Sequence, residues 1–432
     1  MRSIVQKIVI TCNHKITRIL LIALLIVLLF PDNAYAIPTW ARKYKTSCVT
    51  CHATYPKLNS FGESFRMNGY KYPNDDEDKV KEEPLELSSE SYKKVWPKSV
   101  WPNSIPMTST LSIRGRSAFE TTTVNNATTA EFARPALQLL ASGSIGENLT
   151  AFVGAHLFED GEVGSIDRLF LRVNNVFTRF LPEKFLNIQV GQFIPELVPF
   201  ATNHRGLTNS AYAFNTYDPT MGSSFVTTHA HGAGPFGIEA FQLGVEANGI
   251  IKSRLRYVLG IVNGSGTEVD INSDKDFYGR LCYKIGGMGF DGSLKEGTSS
   301  EKEISIALGT FGYKGIGTAN NRNFDFYRLG GDVNIYLKDV NFIGGYILGA
   351  NGTEEIKKYN LFFAEIDYQM YPWLTGILRY EQANPNTLQS FSQLVPHISA
   401  LIVANVKVRV ESRINPADLR FDNLHIGLEF AY

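Results

Sequence analysis

Leu424-His425-Ile426-Gly427-Leu428-Glu429-Phe430-Ala431-Tyr432 alternates residue by residue: Leu424, Ile426, Leu428, Phe430 and Tyr432 share one side of an extended chain, and His425, Gly427 and Glu429 share the other. Successive side chains of a strand point to opposite faces, so this stretch is apolar on one face only. The same period returns in Leu111, Ile113, Gly115 and Phe119 set against Arg114, Arg116 and Glu120, and in Leu329, Val333, Ile335 and Leu337 set against Arg328, Asp332, Asn334 and Tyr336. It returns again in Val406, Val408 and Val410 set against Lys407, Arg409, Glu411 and Arg413. A soluble sandwich also alternates, but its strands are usually shorter. Runs of about ten residues, apolar outside and polar inside, are the pattern of a transmembrane β-barrel.

Working back from that last run, sixteen such segments can be placed, from 108–122 to 420–432, with the sixth at 236–247. The even number suits a bacterial barrel whose two ends lie on one side of the membrane. Tight turns are expected at Gly146-Glu147-Asn148, Asn248-Gly249, Leu337-Lys338, Tyr371-Pro372 and Ala404-Asn405, all at one end of the barrel. Composition agrees, with 12% aromatic residues, 37 glycines and only 19% charged residues. The formal charge is zero, which gives no electrostatic support to nucleic-acid binding. The fold class is therefore all-β: a barrel of about 16 strands over 105–432, behind a small N-terminal helical segment.

Ahead of the barrel, Arg2, Lys7, Lys15 and Arg18 precede the apolar run Ile19 to Phe30 and the small-residue site Ala34-Tyr35-Ala36. Residues 1–36 read as a secretory signal peptide. Cleavage there removes Cys12 and leaves Cys48, Cys51 and Cys282, too few for a disulfide framework. Residues 73–104, with Asn74-Asp75-Asp76-Glu77-Asp78 and Glu82-Glu83, read as a solvated charged linker.

Between signal and linker, over 37–72, stands Cys48-Val49-Thr50-Cys51-His52, the CxxCH pattern of covalent c-type haem attachment. Its spacing lets two thiols reach two vinyl groups on one edge of a haem, while the next residue offers an imidazole to the iron. Cys48 and Cys51 are the attachment residues and His52 the proximal ligand. A thioredoxin-like redox pair and half of a zinc site are the competing readings. Leu58, Phe61 and Phe65 fall on one side of a helix ended by Asn68-Gly69. Met67 is the sequence-near candidate for the sixth iron ligand, although a continuous helix turns it away from Leu58 and Phe65. Alternatives are His156 and His425 on strands, His204, His229 and His231 in the long region 195–235, or an open site. That long region is expected to be a constriction loop, and Cys282 a lumen thiol.

The residues around the motif sharpen this reading. Pro38, Ala41 and Arg42 precede it, and Pro56, Leu58, Phe61-Gly62, Phe65 and Asn68-Gly69-Tyr70 follow. This run of about 35 residues resembles the haem segment of the fused monohaem cytochrome and porin proteins of bacterial outer membranes. The aromatic Tyr432 likewise resembles the terminal signal of exported barrel proteins. The resemblance implies one covalently attached c-type haem and extracellular electron transfer, typically oxidation of ferrous iron. It also implies three partners: outer-membrane lipid, an extracellular electron donor or acceptor, and a periplasmic electron carrier.

A lumen of this width is lined by many arginines, among them Arg114, Arg172, Arg254, Arg256, Arg280 and Arg379, interrupted by Glu365, Asp367, Glu381 and Glu429. Such a lining selects anions or grips haem propionates, and it also serves simply to pair charge across strands. The haem segment is too small to enclose a porphyrin, so it is expected to insert into or under the barrel. Three functions compete: an outer-membrane electron conduit, an anion-selective porin with the haem segment as plug or gate, and a haem enzyme with an open iron site. No distal His and Arg pair supports the last.

Overall fold

The computed structural model describes residues 39–73, 85–86, 104–105, 111–124, 127–145, 148–159, 161–198, 207–209, 212–216, 240–266, 273–294, 304–319, 322–351, 357–385, 390–403 and 405–431. The signal peptide, most of the linker, His204, His229, His231 and Tyr432 lie outside the described residues. Within the linker, Leu85–Glu86 pairs antiparallel with Ser104–Ile105.

Sixteen antiparallel strands close into one barrel. They are β1 (Leu111–Val124), β2 (Ala127–Ile145), β3 (Leu149–Glu159), β4 (Ile166–Val173), β5 (Asn187–Phe193), β6 (Gln242–Ile251), β7 (Leu255–Val262) and β8 (Asp276–Gly286). Then follow β9 (Ser305–Ala319), β10 (Arg322–Leu337), β11 (Val340–Asn351), β12 (Lys357–Tyr371), β13 (Leu374–Pro385), β14 (Phe391–Val403), β15 (Val406–Asn415) and β16 (Arg420–Ala431). Closure comes from β16 pairing with β1, Phe430 opposite Gly115 and His425 opposite Glu120. A two-residue strand, Glu162–Val163, extends the β3 edge.

The alternation settles which way each face points. In β16, Leu428 and Phe430 are 47% and 43% exposed, whereas His425 and Glu429 are 3% and 1% exposed. This inverts a soluble protein, in which charged residues stay outside, and matches a wall with lipid on its outer face. Buried cations inside are met by acids of the same wall: Arg114 Nε donates to Glu429 Oε1 on the adjacent strand at 2.7 Å, Arg280 Nη2 to Asp332 Oδ1 two strands away at 2.9 Å, and Arg379 Nε lies 3.2 Å from Glu381 Oε2 on its own strand.

One expected turn is displaced. Asn248-Gly249 lies inside β6 rather than after it, and the chain reverses at Lys252 and Ser253, both with positive φ. Arg254 consequently leaves the lumen for this turn, where it donates to the Gly286 and Gly287 carbonyls. The glycine serves a close approach instead: a Cβ on Gly249 would stand 1.7 Å from the Phe185 carbonyl oxygen. Asn248 is buried and donates to Glu246 Oε1 at 3.0 Å.

The lumen is filled from both ends. At the end where β1 begins, the 39–73 segment enters with α1 (Thr39–Tyr44) and α2 (Ser60–Met67). From the opposite end the connection between β5 and β6 folds inward, carrying 195–198, 207–209 and α3 (Ala213–Thr216). Leu197, Val198, Tyr212 and Phe214 pack there against Phe311, Phe326 and Phe363 of the wall. The described part of the expected constriction loop thus lies inside the barrel.

Leu281 points to lipid from the middle of β8. Leu281→Arg is expected to destabilise the barrel by about 2–4 kcal/mol, the cost of a cation near the bilayer midplane. Denaturant unfolding in lipid vesicles measures it, against the ~0.5 kcal/mol typical of surface changes in soluble proteins.

Candidate functional site

The CxxCH turn is assembled by its neighbours. Cys48–Thr50 forms a single 3-10 turn, and His52–Thr54 pairs with Lys57–Leu58 in a small hairpin. Asn59 joins both to α2: its Oδ1 accepts from Gly62 N at 2.9 Å as an N-cap, and its Nδ2 donates to the Val49 and Thr50 carbonyls at 3.0 and 3.1 Å. Gly62 lets the helix lie on the turn, since a Cβ there would stand 2.0 Å from the Cys51 carbonyl oxygen. Helix α2 carries Phe61 and Phe65 of the expected amphipathic helix, while Leu58 falls on the hairpin strand before its Asn59 cap; the helix ends before Gly69, whose φ of 72° suits glycine. Trp40, Tyr44, Phe65 and Tyr70 supply a miniature aromatic core, Trp40 stacking on Tyr70 at 4.8 Å and edge-on to Phe65 at 5.6 Å.

The ring of His52 is oriented. Its Nδ1 donates to the Pro56 carbonyl at 3.1 Å, which leaves Nε2 as the nitrogen with a lone pair to offer. Burial pushes its pKa down to about 4, against the opposing pull of the Pro56 and Lys57 backbone, so the imidazole is neutral and keeps a lone pair for a metal. Burial raises both thiols, that of Cys51 to about 12 with the nearby Cys48 adding to it. An exchange-active CxxC needs the opposite, a lowered thiol pKa. A zinc site is no better served, because no group of three potential ligands occurs among the described residues.

Cys48, Cys51 and His52 line one cavity, with about 1940 Å³ of non-atom space, part of it open to solvent. One wall is the α2 face carrying Gly62, Phe65 and Arg66, continued by Trp40 and Tyr70; the opposite walls come from Arg114, Phe152, Phe170 and Arg172 of the barrel and from 194–196 of the in-folded loop. Two thiols at attachment spacing, an oriented imidazole and an aromatic enclosure fit a covalently held haem. Glu196 fastens the three parts together, accepting from Arg256 of β7 at 2.8 and 2.9 Å and from Arg66 of α2 at 3.0 Å.

Barrel side chains hold the segment mainly by its backbone. Gln369 donates to the Ala53 carbonyl at 2.9 Å, Lys407 to that of Tyr55 at 2.9 Å, Tyr336 to that of Leu58 at 3.2 Å and Thr150 to that of Gly69 at 3.0 Å. Arg172 reaches the Arg66 and Met67 carbonyls at 3.3 and 2.6 Å, capping the C-terminal turn of α2 from outside. Lys57 pairs with Asp367, and the Thr54 and Thr375 hydroxyls are 2.6 Å apart.

The sixth-ligand candidates are placed as follows. Met67 is buried with Ile250, Cys282 and Phe290 and lines a second, smaller cavity rather than the one His52 lines. His156 sits between Asp167 and Glu159, at 2.8 and 2.5 Å, and His425 beside Glu120 at 2.6 Å; neither lines the His52 cavity. Glu196 and the carbonyl-docking side chains carry no motif in the sequence. The only signal for Glu196 was its place at the start of a long connection.

No protein-family model and no curated protein matches the chain. Among solved structures it is similar to the anion-selective porin from Comamonas acidovorans, at 10% identity over 75% of this chain and 99% of that one, with a TM-score of 0.54. OprB of Pseudomonas putida aligns at 8% identity over 74% and 93%, with a TM-score of 0.49. The first likeness is one of fold, a porin-like barrel.

Gly62→Val is expected to lift α2 from the Cys51 carbonyl at an overpacking cost of about 1–3 kcal/mol. If segment opening is fast relative to cleavage, proteolytic release of the 39–73 segment in detergent rises by roughly 5- to 150-fold. Release at the wild-type rate counts against the docked geometry.

Proposed function

We propose that this chain conducts electrons across a bacterial outer membrane through one c-type haem held in the barrel lumen. The observation that carries the reading is the convergence of Cys48, Cys51 and a His52 ring oriented by the Pro56 carbonyl on a single cavity walled by the barrel. Cys48 and Cys51 would tether the haem and His52 would ligate its iron; when bound, the haem supplies a one-electron ferric/ferrous couple. The chain's own residues do the rest. Pro56 fixes the imidazole, Gly62 and Phe65 form the floor of the cavity, and residues 194–196 close it on the side away from the segment's entry.

The end where β1 begins is assigned to the periplasm, because barrel termini and short turns belong there. The segment then faces a periplasmic electron carrier, and the in-folded loop faces the outside. By resemblance of the haem segment, the extracellular donor is ferrous iron. Met67 is not part of this proposal, since its side chain is packed away from the cavity.

The runner-up is an anion-selective pore with the segment as plug. It is favoured by the basic lining and by the fold shared with the anion-selective porin from Comamonas acidovorans. The segment and loop that fill the same lumen weigh against it.

Purified protein is expected to carry haem that survives denaturation, and Cys48→Ser with Cys51→Ser is expected to abolish it. In proteoliposomes, external ferrous iron should reduce the haem within seconds. A protein with no covalent haem, or one whose bilayer conductance is large and independent of the CxxCH cysteines, would falsify the conduit.

A further inference from the structure

Five arginines line the cavity against two glutamates, Glu196 and Glu246. Three of the five have acids at hand: Arg114 pairs with Glu429, and Arg66 and Arg256 share Glu196. Arg172 differs. It is 4% exposed, and its bonds run to the Arg66 and Met67 carbonyls and to Asn248 Oδ1 at 3.2 Å. Among the described residues it has no carboxylate within 4 Å, and its buried Nε has no acceptor. Its one link to an acid passes through the Asn248 amide to Glu246. Glu246 acts on it only at longer range, so the charge is met by two carbonyls and an amide rather than by a paired acid, and a ligand carboxylate would supply the pairing the wall does not.

The cavity itself indicates which anion. Thioether bonds at Cys48 and Cys51 would hold the vinyl edge of a haem, leaving its propionates to the part of the cavity wall away from the thiols. Gly62 lies against Cys51, and five residues later Met67 offers the carbonyl that Arg172 grips, a rise of about 7.5 Å at 1.5 Å per residue. Resting on the haem reading above, we propose that Arg172 anchors a haem propionate and thereby raises the potential of the iron. Two of its nitrogens hold the helix end, and the side chain lines the cavity, where its positive charge would draw a carboxylate. Arg172 would be a positioning residue that ties the fit of the segment in the lumen to the energy of the electron it carries.

The test uses the full-length holoprotein in detergent, with covalent haem verified first; its absence in the wild type would overturn the conduit reading before any variant is made. Spectroelectrochemical titration then compares Arg172→Gln, Arg172→Lys and Thr150→Val with the wild type. Removing the cation leaves a bare propionate that favours ferric iron. R172Q should therefore lower the ferrous to ferric ratio at fixed poise by about tenfold, equivalent to 59 mV for one electron. R172K should recover most of that ratio. T150V loosens the same docking at the Gly69 carbonyl without removing charge, and should leave the potential unchanged. A ratio in R172Q within twofold of wild type, or an equal shift in T150V, would overturn the assignment and leave Arg172 as a helix cap only. Adding citrate separates a tethered carboxylate from a captured one: the difference between wild type and R172Q should not change, and a difference that grows with citrate would point to a free anion instead.

Discussion

The carbonyl oxygens of Ala53, Tyr55, Leu58, Arg66, Met67 and Gly69 are each received by a side chain of the barrel wall. Everything at the site depends on that. A segment this short has too little apolar area to fold alone and too little regular structure to pair its own backbone. Inside a lumen its unpaired carbonyls need donors. The barrel provides them on strands whose positions are fixed by a closed hydrogen-bond ladder, so a loop with little secondary structure is held in one place. The dependence runs both ways, because Lys407, Tyr336 and Arg172 would each lose a buried acceptor without the segment.

The same logic governs charge. An inward-facing wall must be polar, and the cross-strand pairs at Arg114 with Glu429 and Arg280 with Asp332 show most of that polarity being neutralised within the wall. What the wall leaves over is answered by the inserted elements: Asp367 takes Lys57 from the segment, Glu365 accepts from Tyr212 of the loop at 3.0 Å, and Glu381 accepts from the Ala213 amide at 2.7 Å. Breaking a buried ion pair by removing one partner costs about 3–5 kcal/mol, so the Lys57–Asp367 pair holds the segment more firmly than a surface pair would. Glu196 is the extreme case, since one carboxylate ties wall, loop and helix together.

How much of this the sequence discloses depends on range. Two-residue alternation is a local property, so all sixteen strands could be read from it, as could α2, whose period and cap lie within ten residues. Asn248-Gly249 misled because an Asn-Gly pair is the commonest hairpin turn, whereas here the glycine is needed by Phe185, 64 positions earlier, and no local pattern carries that need. Helical geometry did foresee the place of Met67. Five residues beyond Gly62 is 500°, or 140° around the helix, which takes Met67 off the face that meets the cavity. Carbonyl docking was invisible for a plain reason: the segment's half of each such bond is backbone, and backbone has no letter.

The filled lumen bears on which cargo the proposed function can move. Among the described residues, a solute crossing between the two ends meets the 39–73 segment from one end and the loop carrying Glu196 from the other, and displacing either is costly. Each displacement exposes buried apolar side chains such as Leu197 and Phe214 and separates the Arg66, Glu196 and Arg256 group. An electron requires none of this. It needs a redox centre that is rigidly held, screened from water, and set between the two sides of the membrane, and the parts that obstruct a solute are the parts that would hold and screen such a centre. The loop contacts the segment directly at Arg66, so the element facing one side and the element entering from the other meet beside His52 with no water-filled span required between them. In the proposed function the plug would be the working part rather than a gate, and the porin-like wall its housing.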